Sequence, residues 1–273
     1  MLKFTLVMSV YAGEDPSFLS QCVESILAQT VLPDEWIIVK DGPLMDGLEA
    51  VLRGIAFQNE LRIIALPENV TQGPARAEGI KAARYEWVAV MDSDDICAPD
   101  RFEKQLAMIG GNPGLDIIGG QISEFINSPK GAKASRRVPL NRNEITRFAK
   151  RRNPFNCMTV MLRRDLALAT GNFQYFPWFE DYDLWTRMLA AGAVCANHAD
   201  VLVYVRVGGG MYARRRGASY IRSELRMQRQ LKDLGFIGIA GYAKNIALRV
   251  PVRLLPEKML ARVYNRFART RGK

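Results

Sequence analysis

The chain has 273 residues, enough for one large domain or a domain plus an appendage, and its 48% hydrophobic content is that of an ordinary globular protein. It contains no run of about 18 apolar residues, which excludes a membrane-spanning helix, and its four dispersed cysteines (Cys22, Cys97, Cys157, Cys195) form no CxxC pair, which predicts free thiols in a reducing cytoplasm. The net charge of +10 is divided unevenly: residues 1–200 carry 21 basic and 25 acidic side chains, residues 201–273 carry 17 and 3, and such a tail suits an anionic surface, nucleic acid or phospholipid.

Met1-Leu2-Lys3-Phe4 runs straight into a strand-like segment, so no cleavable leader is expected. Phe4–Val10 is an apolar run of strand length. Asp15-Pro16 then reads as N-cap and first helical residue, and Leu19, Cys22, Val23, Ile26 and Leu27 follow at helical spacing. Trp36–Val39 reads as a second, buried-type strand and Leu61–Leu66 as a third, with helices over roughly 44–57 and 73–83. Trp87–Met91 is a fourth strand, and Pro99 opens a helix to about Ile109. Further on, the pattern predicts a basic helix over 141–152, a strand at 159–162, a helix over 180–191 and a strand at 201–205, followed by Gly208-Gly209-Gly210. Alternating strands and helices imply an α/β sheet covered on both faces, whose ligands lie beyond the carboxyl ends of the strands. That rule gathers Tyr11, Asp41, Asp92 and Asp94 at one edge.

Asp92-Ser93-Asp94-Asp95 closes the fourth strand with three carboxylates in four residues. Clustered carboxylates repel, so they suit a hard cation that shares oxygen ligands with a diphosphate. Taken alone the cluster also fits a solvated acidic turn. Glu180-Asp181 likewise fits both a catalytic pair and first-turn carboxylates at a helix N-terminus. No GxGxxG follows the first strand, which sets aside a nicotinamide dehydrogenase.

Together, Val7-Met8-Ser9-Val10-Tyr11, Val39-Lys40-Asp41-Gly42, the segment Asn69 to Gly79, Asp92-Ser93-Asp94-Asp95 and Glu180-Asp181-Tyr182-Asp183-Leu184-Trp185 resemble inverting glycosyltransferases of family two. The resemblance covers roughly residues 4–215. It implies the GT-A nucleotide-sugar-binding fold, a mixed sheet flanked by helices, with a nucleotide half of about 1–120, an acceptor half of about 121–215 and a basic helical extension over 216–273. Lys40-Asp41-Gly42-Pro43-Leu44, Arg151-Arg152-Asn153-Pro154-Phe155-Asn156 and Tyr204-Val205-Arg206-Val207-Gly208 resemble amylovoran-type and O-antigen enzymes in particular. These imply transfer of a hexose, galactose favoured, from a UDP-sugar to a polyprenyl-diphosphate-linked saccharide.

By that resemblance Asp94 ligates Mn²⁺ or Mg²⁺, with Asp92 nearer the ribose or on the metal through water. Asp181 is the general base, with Glu180 as second choice. Ser9, Tyr11, Asp41 and Arg76 serve the nucleotide. Asp95 caps a helix or touches the sugar. Arg206, Arg214 and Trp178 are candidates for diphosphate or acceptor contacts, while Trp185 belongs in the core and His198 is structural. The chain departs from the family pattern at Ala12, Pro74, Ala77 and Cys157.

In the tail, Met259, Leu260, Val263, Tyr264 and Phe267 form one helical stripe and Lys258, Arg262 and Arg266 another, with Arg269 and Arg271 beyond. This profile predicts a helix lying on anionic lipid, or docking on the protein's own core. The lipid-linked acceptor that the resemblance implies would make that surface the inner face of a bacterial cytoplasmic membrane, with the enzyme peripheral to it. Nucleic acid binding is not expected, since no nucleic-acid motif is present. The competing reading is a catalytically silent nucleotide-sugar-binding scaffold of the same pathway.

Overall fold

The computed structural model describes residues 2–131, 134–208, 217–254, 259 and 270–271. Its first half is a run of strand–helix units: β1 (Phe4–Tyr11), α1 (Pro16–Leu27), β2 (Glu35–Asp41), α2 (Asp46–Arg53), β3 (Glu60–Ala65), α3 (Gln72–Ala82) and β4 (Trp87–Met91). A two-residue β5 (Ile96–Cys97) leads to α4 (Arg101–Gly111). The second half adds β6 (Ile117–Phe125), β7 (Ala134–Arg136), α5 (Arg142–Ala149), β8 (Met161–Arg163), α6 (Arg164–Ala169), α7 (Glu180–Ala190) and β9 (Cys195–Arg206). Helices α8 (Gly217–Asp233) and α9 (Ile239–Arg253) and a short β10 (Thr270–Arg271) complete it.

The sheet is mixed, in the order β10-β7-β6-β8-β4-β1-β2-β3, with β9 lying beside β6 and β5 beside β9. β1 pairs parallel with both β2 and β4, while β8 is antiparallel to β4 and to β6. β6 therefore runs with β4, and β9 pairs parallel with β6. β1, β2, β4, β6 and β9 thus end on one rim, at Tyr11, Asp41, Met91, Phe125 and Arg206, as does β3, parallel to β2, at Ala65.

Alternation along β1 explains the layering. Phe4, Leu6, Met8 and Val10 face a core shared with Leu19, Cys22, Val23 and Ile26 of α1 and with Phe102, Leu106 and Ile109 of α4. Val7 faces the opposite core, with Ala75, Ala77 and Ile80 of α3 and Leu184, Trp185 and Met188 of α7. Trp185 is fully buried between Phe155 and Phe173, as expected for a core residue. Asp15 caps α1 by accepting from Ser17 N at 2.8 Å, with Pro16 in the first turn.

The structure corrects several boundaries. The basic helix over 141–152 is shorter, Arg142–Ala149, because Asn141 is its N-cap, accepting from Glu144 N at 3.1 Å. The strand at 201–205 extends to Cys195–Arg206. β6, for which no strand was predicted, is one of the central strands. All four cysteines are free and buried, and His198 accepts from Asp200 N at 3.0 Å, a local turn role. Gly209, Gly210, Arg214 to Arg216 and all of the predicted tail stripe except Met259 and Arg271 lie outside the described residues.

The start of the C-terminal extension forms a hairpin of α8 and α9. Tyr220, Met227, Leu231 and Phe236 share a third core with Phe176, Phe179 and Tyr182 beside α7. Inside it, fully buried Glu224 accepts from Arg249 at 2.8 and 3.0 Å and from Arg253 at 3.5 Å. Removing one partner of such a group leaves buried charge uncompensated. Glu224→Ala should therefore lower the unfolding free energy by about 3 kcal/mol, seen as a lower urea midpoint with unchanged slope. An unchanged midpoint would show that the hairpin is not held this way.

Candidate active site

The acidic cluster sits where β4 reaches the rim. Asp92, Asp94 and Asp95 each present an oxygen within 4.8 Å of the others, a hard-donor set that fits a divalent cation. Their surroundings differ. Asp92 is half-buried and ion-paired with Arg76 Nη2. Asp95 is buried and accepts from Arg206 N at 2.8 Å, which ties the cluster to the end of β9. Burial, and after it the Asp94 and Asp92 charges, raises Asp95 well above the usual carboxylate range. Asp94 is half-buried, like Asp92, and its carbonyl accepts from Arg206 Nε at 3.2 Å.

Arg206 packs its guanidinium 3.9 Å from the Phe18 ring centroid and 4.7 Å from that of Phe125, and donates to Gln21 Oε1 at 2.9 Å. It therefore braces the cluster from α1, β6 and β9, beyond the anion contact predicted for it.

Arg76, on the second turn of α3, is 2% exposed. Burial opposes its charge, but the Cys157 sulfur and the carboxylates of Asp92, Glu180 and Asp181 outweigh that and hold it above the ordinary guanidinium range. Its Nη1 lies 3.5 Å from Cys157 Sγ, its ring neighbour is Phe173 at 5.8 Å, and its Nε has no hydrogen-bond partner. The side chain thus reaches from the metal-type cluster to the first turn of α7.

Glu180 and Asp181 begin α7, where the helix N-terminus favours negative charge. Asp181 Oδ2 accepts from Asn153 Nδ2 at 2.6 Å and Oδ1 from Tyr182 N at 2.7 Å, so each oxygen keeps a lone pair for a proton. Burial raises Asp181, and burial together with the Asp181 charge pushes Glu180 up to about 7. The start of α3 comes so close to α7 that a Cβ on Gly73 would meet Gln174 O at 2.7 Å and Glu180 Cβ at 3.0 Å. Only glycine fits there.

Toward the nucleotide side, Asp41 is buried and its Oδ1 accepts from Val70 N at 2.6 Å, its Oδ2 from Asn69 Nδ2 at 3.1 Å. Burial raises its carboxyl despite those bonds. Gly42, at φ +85°, turns the chain under Asn69. Ser9 is buried in β1, while Tyr11 at its end is exposed. Two non-glycine residues at positive φ, Thr71 (+75°) and Trp178 (+65°), lie at the starts of α3 and α7. Strained residues of this kind gather at functional sites. Trp178 is 41% exposed, 5.3 Å from the Tyr220 ring.

The structure thus joins Asp92, Arg76, Glu180 and Asp181 in one electrostatic group, with Asp94 and Arg206 adjoining at the rim. Asp41 lies along the same rim at the end of β2. Asn153 and Gly73 carry parts of this site that no motif position had assigned. Asn153 falls within the Arg151–Asn156 segment, but its partner is 28 residues away, so only tertiary structure discloses the bond.

A model of the family described as Glycosyl transferase family 2 matches residues 5–170. Over 266 residues the chain is 38% identical to the amylovoran biosynthesis glycosyltransferase AmsE of Erwinia amylovora, covering 96% of this chain and 98% of that one. Over 267 residues it is 32% identical to the UDP-Gal:alpha-D-GlcNAc-diphosphoundecaprenol beta-1,3-galactosyltransferase of Escherichia coli, covering 98% and 97%. Its structure is similar to S. aureus TarS 1-349 in complex with UDP-GlcNAc, with TM-score 0.68, 16% identity and coverage of 98% and 74%. It is also similar to the mannosyltransferase PcManGT from Pyrobaculum calidifontis in complex with GDP-Man and Mn²⁺, with TM-score 0.64, 16% identity and coverage of 97% and 80%. At such identity these likenesses speak for the fold, the GT-A arrangement. With the family model and both full-length relatives in agreement, the chain belongs to glycosyl transferase family 2.

Proposed function

We propose that the chain is an inverting, metal-dependent hexosyltransferase that moves a hexose, galactose favoured, from a UDP-sugar to a polyprenyl-diphosphate-linked saccharide in surface-polysaccharide synthesis. The observation that carries this reading is the pair of carboxylate stations: Asp92 and Asp94 at the rim of the sheet, Asp181 at the head of α7, and buried Arg76 between them. The printed names of the amylovoran and Escherichia coli relatives support the pathway, the donor and the acceptor class. The Mn²⁺ in the similar mannosyltransferase complex supports the metal.

Mn²⁺ or Mg²⁺ held by Asp94, with Asp92, would supply Lewis-acid charge to the departing diphosphate. Asp41 and Tyr11 flank the place for the base and Ser9 lies beneath it. On the opposite side the acceptor hydroxyl gives its proton to Asp181 as its oxygen bonds to the anomeric carbon and the bond to the diphosphate breaks. A single displacement of this kind inverts the anomeric centre. Trp178, exposed and strained, offers an aromatic face for the acceptor sugar. Among the described residues no helix is long and apolar enough to cross a membrane. Peripheral attachment to the inner face of the cytoplasmic membrane, through the basic C-terminal region, would bring the enzyme to a lipid-linked acceptor.

Asp181→Asn should cut transfer by about 10²- to 10⁴-fold while UDP still raises the melting temperature in Mn²⁺. Normal turnover by this variant would refute the base assignment. Asp94→Asn should lose the Mn²⁺-dependent part of the UDP-induced thermal shift, and chelation should silence the wild type; metal-independent transfer would remove the metal from the mechanism. The raised Glu180 carboxyl has a further consequence. A group raised in the folded state binds more protons there than in the unfolded chain, so its stability contribution is full below its unfolded value near 4.5 and is lost as pH rises through about 7. The melting temperature of metal-free protein should fall across that window, and less steeply in Glu180→Gln; identical slopes would show that Glu180 is not the group responsible.

A further inference from the structure

The α8–α9 hairpin is linked by hydrogen bonds to the turn that carries a donor to Asp181. Asn245 of α9 donates to Lys150 O at 3.1 Å, and Arg249 donates to Arg151 O while both oxygens of buried Glu224 hold it in place. From α7, the Tyr182 hydroxyl donates to Ala149 O. From β7, Arg136 Nη2 donates to Asn153 O at 2.7 Å. Side chains of three elements therefore grip the carbonyls of Ala149, Lys150, Arg151 and Asn153.

The turn they hold ends at Asn153, whose backbone is further restricted by Pro154. Asn153 Oδ1 accepts from Phe155 N at 3.2 Å, which settles the orientation of the amide: its Nδ2 faces Asp181 and donates at 2.6 Å. Among the described residues this is the one side-chain hydrogen bond to Asp181. The charged and titratable groups around that carboxylate are Glu180 and Tyr182 on α7, Arg76 on α3, Arg136 on β7 and Cys157.

Resting on the assignment of Asp181 as general base, we infer that Asn153 is the positioning residue of this site: its amide, fixed by the α8–α9 hairpin and β7 through the 149–153 turn, aims the Asp181 carboxylate at the acceptor hydroxyl. A second effect runs the other way. An N–H donated to a carboxylate favours the ionised form, so losing it makes Asp181 slightly more basic. Greater basicity alone would leave the plateau rate level or raise it. Misaiming lowers it, and a 1 Å displacement is enough for about 10²-fold.

The test compares Asn153→Ala and the isosteric Asn153→Asp with the wild-type full chain. UDP formation is followed from UDP-galactose and a synthetic lipid-diphosphate-linked N-acetylglucosamine with Mn²⁺, across a pH series. In N153A the plateau kcat should fall about 10²-fold and the acidic limb should move to higher pH. In N153D, which keeps the shape but adds a charge beside Asp181, the limb should move further in the same direction. The UDP-induced thermal shift, which reads folding and donor binding together, should stay at the wild-type value in both. Wild-type kcat with an unmoved limb in N153A, or a loss confined to UDP binding, would overturn the inference. Asp181→Asn separates the two levels: an active D181N defeats the base assignment itself, whereas an inactive D181N beside kinetically normal Asn153 variants defeats only the role of Asn153.

Discussion

Everything at this site turns on one buried cation. Arg76 is ion-paired with Asp92 and faces the carboxylates of Glu180 and Asp181, with almost no solvent of its own. A buried guanidinium is tolerable only with partners of opposite charge, and carboxylates this close together are tolerable only with a cation among them. Each therefore depends on the other. The same helix supplies Gly73, whose missing side chain lets α3 press against Glu180. α3 is thus both an electrostatic and a steric bracket between the fourth strand and α7, two elements that the sheet alone would not bring together.

That arrangement divides the acidic cluster by role. Asp92 has Arg76, and Asp95 has the backbone N–H of Arg206, with burial raising its carboxyl well above the usual range. Asp94, half-buried like Asp92, completes the cluster at the edge. A diphosphate brought to that edge would add negative charge to a rim already negative, while Arg76 is turned inward to Asp92. In the proposed reaction a divalent cation answers this imbalance, and its field would in turn draw Asp95 toward ionisation. The Arg206 guanidinium at the same rim is engaged with Phe18, Phe125, Gln21 and the Asp94 carbonyl.

The elements that sequence periodicity disclosed are those whose partners are near in the chain. β1, β2 and β4 are buried on both faces and read as short apolar runs, and β3, half-buried at the edge, joins them through a βαβ unit. β6 escaped because Gly119-Gly120-Gln121 interrupts its apolar run. Gly120 N is instead satisfied by Thr159 Oγ1 at 2.9 Å, and Gln121 by Val138 and His198. The first half of β9, Cys195 to Asp200, reads as polar because its strand character comes from lying along β6. Among the site residues, the strand-end carboxylates were legible through the rule that places ligands at strand ends. The inward turn of Arg76 and the aim of Asn153 were not, because each is decided by a partner 16 and 28 residues away on another element.

The extension beyond residue 215 is more than an appendage on this evidence of contacts. Its first helix shares a core with Phe176, Phe179 and Tyr182, the residues that carry the chain into α7, and its second helix holds the carbonyls leading to Asn153. Glu224, fully buried, links the two helices and sets Arg249 against that turn. The network is directed at the turn that carries Asn153, the donor to Asp181. Fixing geometry is one attested use of buried ionic groups whose net contribution to stability is small. The region matched by the family model ends at residue 170, before Asp181 and before the hairpin. Asp92, Asp94 and Asn153 therefore lie within the matched span, while Asp181 and the hairpin that braces the 149–153 turn lie outside it.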